Sequence, residues 1–245
     1  MSVHLSVHRR QVLQHLAVSV AGGVLVPRGA FAQAAPGAPL LPHADVCVMT
    51  PASTEGPYYF DPKLVRSDIT EGRAGVPMSV RLQMVDAACK PLPGARMDIW
   101  HCDALGLYSN YAGQGDDRAH PVNTKGTTYL RGTQMADERG VVDFKSIYPG
   151  WYPGRTPHVH FKAFIDSRSV LTGQIFFPDT VSDAVYKSKS PYAGRRLSRD
   201  TSNTRDFIAR SAGQASLANV KEDSDGYLVS MIIGIGPARS GGARR

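Results

Sequence analysis

The chain has 245 residues, 42% of them hydrophobic, with 28 Lys and Arg against 21 Asp and Glu for a formal charge of +7. That size and apolar content suit one well-buried domain rather than two. The excess charge is peripheral: residues 1–32 hold three arginines and no acid, and Arg239, Arg244 and Arg245 sit in a Gly-rich tail. The body is therefore near neutral, with no basic stripe interleaved with aromatics to suit a nucleic acid.

In chain order, Arg9-Arg10-Gln11-Val12-Leu13 is a twin-arginine start, followed by an apolar run over 16–26 and a small-x-small site at Ala30-Phe31-Ala32. This predicts a removable export signal over 1–32, by the route that carries folded proteins, to the periplasm or beyond. The run is too short to span a membrane, and Gly22 and Gly23 weaken it further. Residues 33–50 read as an Ala- and Pro-rich linker or arm, 51–236 as the domain, and 237–245 as a disordered basic tail.

Within the domain, Met78, Val80, Leu82 and Met84 alternate with polar residues, which predicts a strand with one buried face. A turn over 89–94 leads to a second strand at 95–101, and 129–134 and 141–144 read as another hairpin about a turn at 137–140. Strands over 156–165, 171–177 and 227–235 follow, with short helices near 182–187 and 204–212. Many short strands punctuated by Gly and Pro predict a mainly β fold: a sandwich of two mostly antiparallel sheets with long loops and few short helices. Of Cys47, Cys89 and Cys102, the expected disulfide is Cys47 with Cys89, tying the arm to the start of the first hairpin. No C-x-x-C spacing suggests a zinc knuckle.

The densest chemistry lies at His158-Val159-His160. Residues two apart in a strand share a face, so both imidazoles point away from Val159, Phe161 and Ala163. Phenols lie close by in sequence, at Tyr152 and Tyr148, and Tyr108 precedes His158 by fifty residues. Phenolate is a hard anionic donor, and two of them beside two imidazoles favour a trivalent metal, with iron(III) the obvious candidate. His43, His101 and His120 fit no ligand spacing and read as structural or exposed. Tyr58, Tyr59 and Trp100 read as core or pocket wall.

Four segments carry a resemblance that the spacing alone does not. Thr54-Glu55-Gly56-Pro57-Tyr58-Tyr59, the run from Asp98-Ile99-Trp100-His101 to Gly106-Leu107-Tyr108-Ser109, the stretch from Arg131-Gly132 to Pro149-Gly150-Trp151-Tyr152, and Arg155-Thr156-Pro157-His158-Val159-His160-Phe161 with Gly173-Gln174 following, resemble the non-haem iron(III) intradiol ring-cleavage dioxygenases. The match runs from about Cys47 to Phe177. The resemblance implies Tyr108, Tyr152, His158 and His160 as ligands of Fe(3+). Tyr152 rather than Tyr148 takes the second phenolate position because it stands three residues after Pro149. It further implies that Tyr152 leaves the metal and accepts a catechol proton, and that Arg155 and Gln174 support charge on the reacting ring. Gly56, Pro57 and Trp151 would line the substrate pocket. The implied reaction inserts both atoms of O2 between the hydroxyl-bearing carbons of a catechol-type ring, giving a cis,cis-muconate. Only five residues separate Tyr152 from His158, a shorter loop than many relatives carry. Two other classes compete: a cupin-like metalloenzyme built on H-x-H with carboxylates or a third histidine, and a secreted β-sandwich binding module without catalysis. The expected partners are a small catechol-type molecule and O2, with a homodimer left open.

Overall fold

Period-two alternation puts every second side chain of a strand on one face, and in the computed structural model, which describes residues 48–236, those faces meet. In chain order the elements are β1 (Pro77–Val85), β2 (Arg96–Trp100), β3 (Arg131–Met135), β4 (Val141–Ile147), β5 (His158–Ile165), β6 (Arg168–Phe176), α1 (Asp179–Ser188), α2 (Phe207–Ala212), β7 (Asn219–Asp223) and β8 (Gly226–Gly234). They form two four-stranded sheets, ordered β4-β1-β8-β7 and β3-β2-β5-β6. The pairings are antiparallel except β1 with β8. The expected sandwich forms.

Met78, Val80, Leu82 and Met84 of β1 and Phe144 of β4 face Met97 and Ile99 of β2 and Val159, Phe161 and Ala163 of β5 in one core. Each large apolar side chain buried there contributes about 1.5–3 kcal/mol. That burial leaves the opposite face of β5 to do something else.

The two connections read as hairpins are not hairpins. β1 and β4 belong to one sheet and β2 and β3 to the other, so the chain crosses the sandwich at 86–95 and again at 136–140. The two crossings bond to each other's flanks: Met84 N donates to Gly140 O at 2.8 Å, and Gly94 N to Ala136 O at 3.0 Å. Alternation says which face of a strand is buried and is silent on which neighbour it pairs with. The tight hairpins are elsewhere. β5 turns into β6 through Asp166 and Ser167, both at positive φ (48° and 65°), the turn hand that matches strand twist. β7 pairs with β8 in a second hairpin. It escaped the pattern because it is a polar, mostly exposed edge strand with Val220 as its single apolar residue.

Each helix starts away from its expected residue. α1 begins at Asp179, and α2 begins at Phe207 because Asp206 caps it, accepting from Ile208 N and Ala209 N. Residues at the end of the expected linker lie along β8, where Thr50 N donates to Gly234 O at 2.9 Å. Cys89 is disulfide-bonded and Cys102 is a buried free thiol. The export signal, Cys47, His43 and the tail over 237–245 lie outside the described residues. Among the described residues no helix is long and apolar enough to cross a membrane.

Candidate metal centre

β5 aims His158 and His160 at the outer face of its sheet, and both are 2% exposed. Register sets their neighbours. His160 lies opposite Trp100 on β2 and Gln174 on β6, and Trp100 lies opposite Arg131 on β3. A row of four side chains thus crosses the sheet, with the His160 ring stacked on Trp100 at 4.9 Å and 8°. Residues 53–60 cover this face. Ser53 N donates to Thr172 O, Tyr59 Oη donates to Asp98 Oδ2, and Lys162 pairs with Glu55. At Gly56 the chain takes φ +69°, and a Cβ there would stand 3.4 Å from His160 Cε1.

Two loops bring in the phenols. Tyr108 follows β2 on a loop tied by Gln114, whose Oε1 accepts from Tyr108 N at 2.7 Å and whose Nε2 donates to Tyr108 O at 2.8 Å. Tyr58 stacks on the Tyr108 ring at 4.3 Å. Tyr152 arrives on the short loop between β4 and β5. Tyr152 Oη stands 3.0 Å from His158 Nε2, and Tyr108 Oη stands 3.3 Å from it. The two phenolic oxygens are 3.5 Å apart, and His160 Nε2 is 3.1 Å from His158 Nε2. The structure brings the four expected ligands to one point.

His158 Nδ1 faces the Thr156 carbonyl at 2.7 Å, so that nitrogen carries the proton and Nε2 presents its lone pair to the centre. Burial, then the Arg155 charge, lowers the His158 pKa to about 3; burial, then His158, holds His160 well below its ordinary range. Burial also pushes both Tyr108 and Tyr152 up. Neutral imidazoles are ready to coordinate, whereas phenols this buried need a cation at the centre to ionise. Four donors around one small ion, at bonds of about 2.0–2.1 Å, stand about 3–3.5 Å from each other. The spacing and the donor set therefore fit a metal ion, and two hard phenolates suit iron(III). Among the described residues no group of three His, Cys, Asp or Glu is placed to hold a metal, so the carboxylate-completed H-x-H alternative lacks its third donor.

Arg155 and Gln174 join this centre. Arg155 Nη1 lies 3.4 Å from His158 Nε2, and Nη2 donates to Gln174 Oε1 at 2.5 Å. Gln174 Nε2 in turn donates to Thr54 O at 3.0 Å, linking the arginine to the covering segment. Pro57 is exposed beside Gly56 at the rim. Trp151 packs elsewhere: its ring meets Tyr186 at 4.4 Å and the Arg195 guanidinium at 3.9 Å. Tyr148 is also remote from the donors, its Oη 2.8 Å from Ser182 Oγ. His101 is structural, bonded to Ser146, and His120 is an exposed partner of Asp117. A cavity of about 630 Å³ lined by Leu92, Ile165, Val170 and Ile235 shares no residue with the site. Sequence reasoning missed Asp206, which grips Arg155 Nε at 2.8 Å; the helix expected over 204–212 enclosed it as an ordinary helical acid.

A family model described as Dioxygenase matches residues 51–209, and the chain belongs to the intradiol ring-cleavage dioxygenase family. It is 35% identical over 176 residues to a catechol 1,2-dioxygenase of Pseudomonas sp. (strain EST1001), covering 60% of this chain and 55% of that protein. The protocatechuate 3,4-dioxygenase beta chain of Burkholderia cepacia is 31% identical over 125 residues, 45% of this chain and 51% of that one. The chain thus spans about half the length of these relatives. An intradiol ring-cleavage dioxygenase from Tetranychus urticae superposes with a TM-score of 0.71 at 35% identity, covering 78% of this chain and 96% of that chain. The dioxygenase domain of a carbohydrate-binding fusion protein from Streptomyces sp. SirexAA-E does so at 0.58 and 29%, covering 78% and 100%.

Proposed function

We propose that this protein is an iron(III) enzyme that opens a catechol-type ring between its two hydroxyls, adding both atoms of O2 to give a cis,cis-muconate-type diacid. The observation that carries this reading is the meeting of Tyr108, Tyr152, His158 and His160: the donors of His158, Tyr108 and Tyr152 stand 3.0–3.5 Å from one another, and His160 Nε2 lies 3.1 Å from His158 Nε2. These four would hold the ion. A ferric ion bound there would supply Lewis acidity and a path for electron density from a chelated diol towards O2.

The remaining work falls to side chains. Tyr152 is half-buried where Tyr108 is 1% exposed, so Tyr152 is the phenol free to swing out and take a substrate proton on its oxygen. Arg155 sets a fixed positive charge beside the ligands, where negative charge grows on the ring, and Gln174 holds that guanidinium in place. Tyr58 stacked on Tyr108, and Trp100 and Gly56 packed against His160, would shield those donors from water.

Iron-loaded protein given catechol should consume O2 in equal measure with muconate formation. Tyrosinate charge transfer should colour it red-brown, and Tyr108→Phe should lose much of that colour and most of the turnover. An iron-replete sample that takes up no O2 with catechol, alkylcatechols, hydroxybenzenetriol or larger lignin-derived diols would favour a binding module instead. The twin-arginine pattern supports export, which amino-terminal sequencing of the mature protein would test at Ala32.

A further inference from the structure

Asp206 is fully committed. Its side chain is 1% exposed, and its two oxygens do different jobs. Oδ1 caps α2, accepting from Ile208 N at 2.8 Å and Ala209 N at 3.2 Å. Oδ2 accepts from Arg155 Nε at 2.8 Å and from Thr156 N at 3.0 Å. Both partners lead to the metal centre. The arginine, gripped at Nε, has its other two nitrogens directed at His158 Nε2 and Gln174 Oε1. Thr156, gripped at its backbone N–H, presents its own carbonyl, one peptide unit on, to His158 Nδ1 at 2.7 Å. One carboxylate therefore reaches the same histidine by two routes.

Neighbours reinforce the grip. Asn203 Oδ1 accepts from Thr156 Oγ1 at 2.8 Å, and the Asp200 carboxylate accepts from Gly154 N at 3.2 Å. The loop between Tyr152 and His158 is too short to build a support of its own, so the chain around residues 200–206 supplies one.

Resting on the iron(III) reading above, we propose that Asp206 is the positioning residue of this site: it orients the Arg155 guanidinium for catalysis and, through the backbone of Thr156, holds His158 in the tautomer and direction that bind metal. A carboxylate 51 residues beyond Arg155 in the chain is thereby part of the ligand support.

The test uses the iron-loaded full chain and Asp206→Ser, since serine still caps a helix but is too short to reach Arg155. The expected result is a fall in kcat per bound iron of about tenfold or more, with KM changed less than about threefold, and iron lost to a chelator about tenfold faster. In an Arg155→Ala background the same substitution should lower kcat per iron no further, while iron loss still speeds up. In metal-free protein the Thr156 amide should exchange faster. Wild-type kcat per iron and chelator resistance in Asp206→Ser would overturn the proposal, as would a full additive loss of kcat in the Arg155→Ala background. If Asp206→Ser does not fold, Asp206→Asn takes its place under the same criteria. A wild-type protein without colour or O2 uptake would sink the iron reading instead, and the Thr156 exchange rate would then decide the positioning role alone.

Discussion

Gly56→Ala is the substitution whose cost can be worked out most fully. Gly56 has φ +69°, and Gly72, far from the ligands in sequence, has φ +70°. An L-residue held there costs about 1–2 kcal/mol, so alanine at either position should lower Tm by about 2–8 °C in a domain of this size. The two differ in their surroundings. A Cβ at Gly72 meets nothing within 4 Å, whereas at Gly56 it stands 3.4 Å from His160 Cε1 and 3.9 Å from Nε2. The His160 ring is also stacked on Trp100, and its Nδ1 has no hydrogen-bond partner to hold its direction. At 3.4 Å the added methyl stands at the near edge of ordinary contact with that ring, so any backbone relaxation from the strained φ that brings it closer tilts the ring and moves Nε2 off the centre; iron affinity should therefore fall for Gly56→Ala and not for Gly72→Ala. Calorimetry gives Tm, and chelator competition with the visible band gives the iron term. If Gly56→Ala keeps iron as well as Gly72→Ala does, packing does not orient His160 and the reasoning fails.

Three further outcomes follow from buried groups. Tyr148→Phe should cost about 1 kcal/mol by removing the bond between Tyr148 Oη and Ser182 Oγ, and should leave colour and turnover unchanged; loss of the visible band would make Tyr148 a ligand. The Cys102 thiol, pushed up to about 12 by burial and then by the Asp103 charge, should resist iodoacetamide at pH 8 in the native protein and react on unfolding. Burial lowers the His101 pKa to about 4, against the bond to the Cys102 carbonyl, from an ordinary 6.5. The unfolded chain therefore binds the proton first, and stability is lost as pH falls from 6.5 towards 4. His101→Gln should make that part of a plot of urea midpoint against pH less steep, with His158 and His160 supplying the rest in metal-free protein; an unchanged slope would show that His101 does not contribute.

The candidate donors were legible in two ways, the histidines from a local rule and the phenols from the family resemblance. His158 and His160 share a face whatever the strand pairs with, and the buried side of β5 was visible in Val159, Phe161 and Ala163. The resemblance separated Tyr152 from Tyr148 by its place after Pro149, and the fold keeps Tyr148 with Ser182. The crossings at 86–95 and 136–140 were misread as hairpins because a turn signal looks the same whether the chain doubles back in one sheet or steps to the other. β7 carried no signal, since an exposed polar edge needs none of the alternation that burial imposes.

Local periodicity, turn chemistry and residue type are properties of short stretches, and by themselves they determined the β-rich class, the core faces and the shared face of His158 and His160. Partnership between distant stretches is set by how two sheets stack and where the returning chain lands. Only the tertiary structure decided that Trp100 would back His160, that residues 53–60 would roof the site, and that Asp206 would reach Arg155. Such contacts depend on close packing in three dimensions, which no window of the sequence contains.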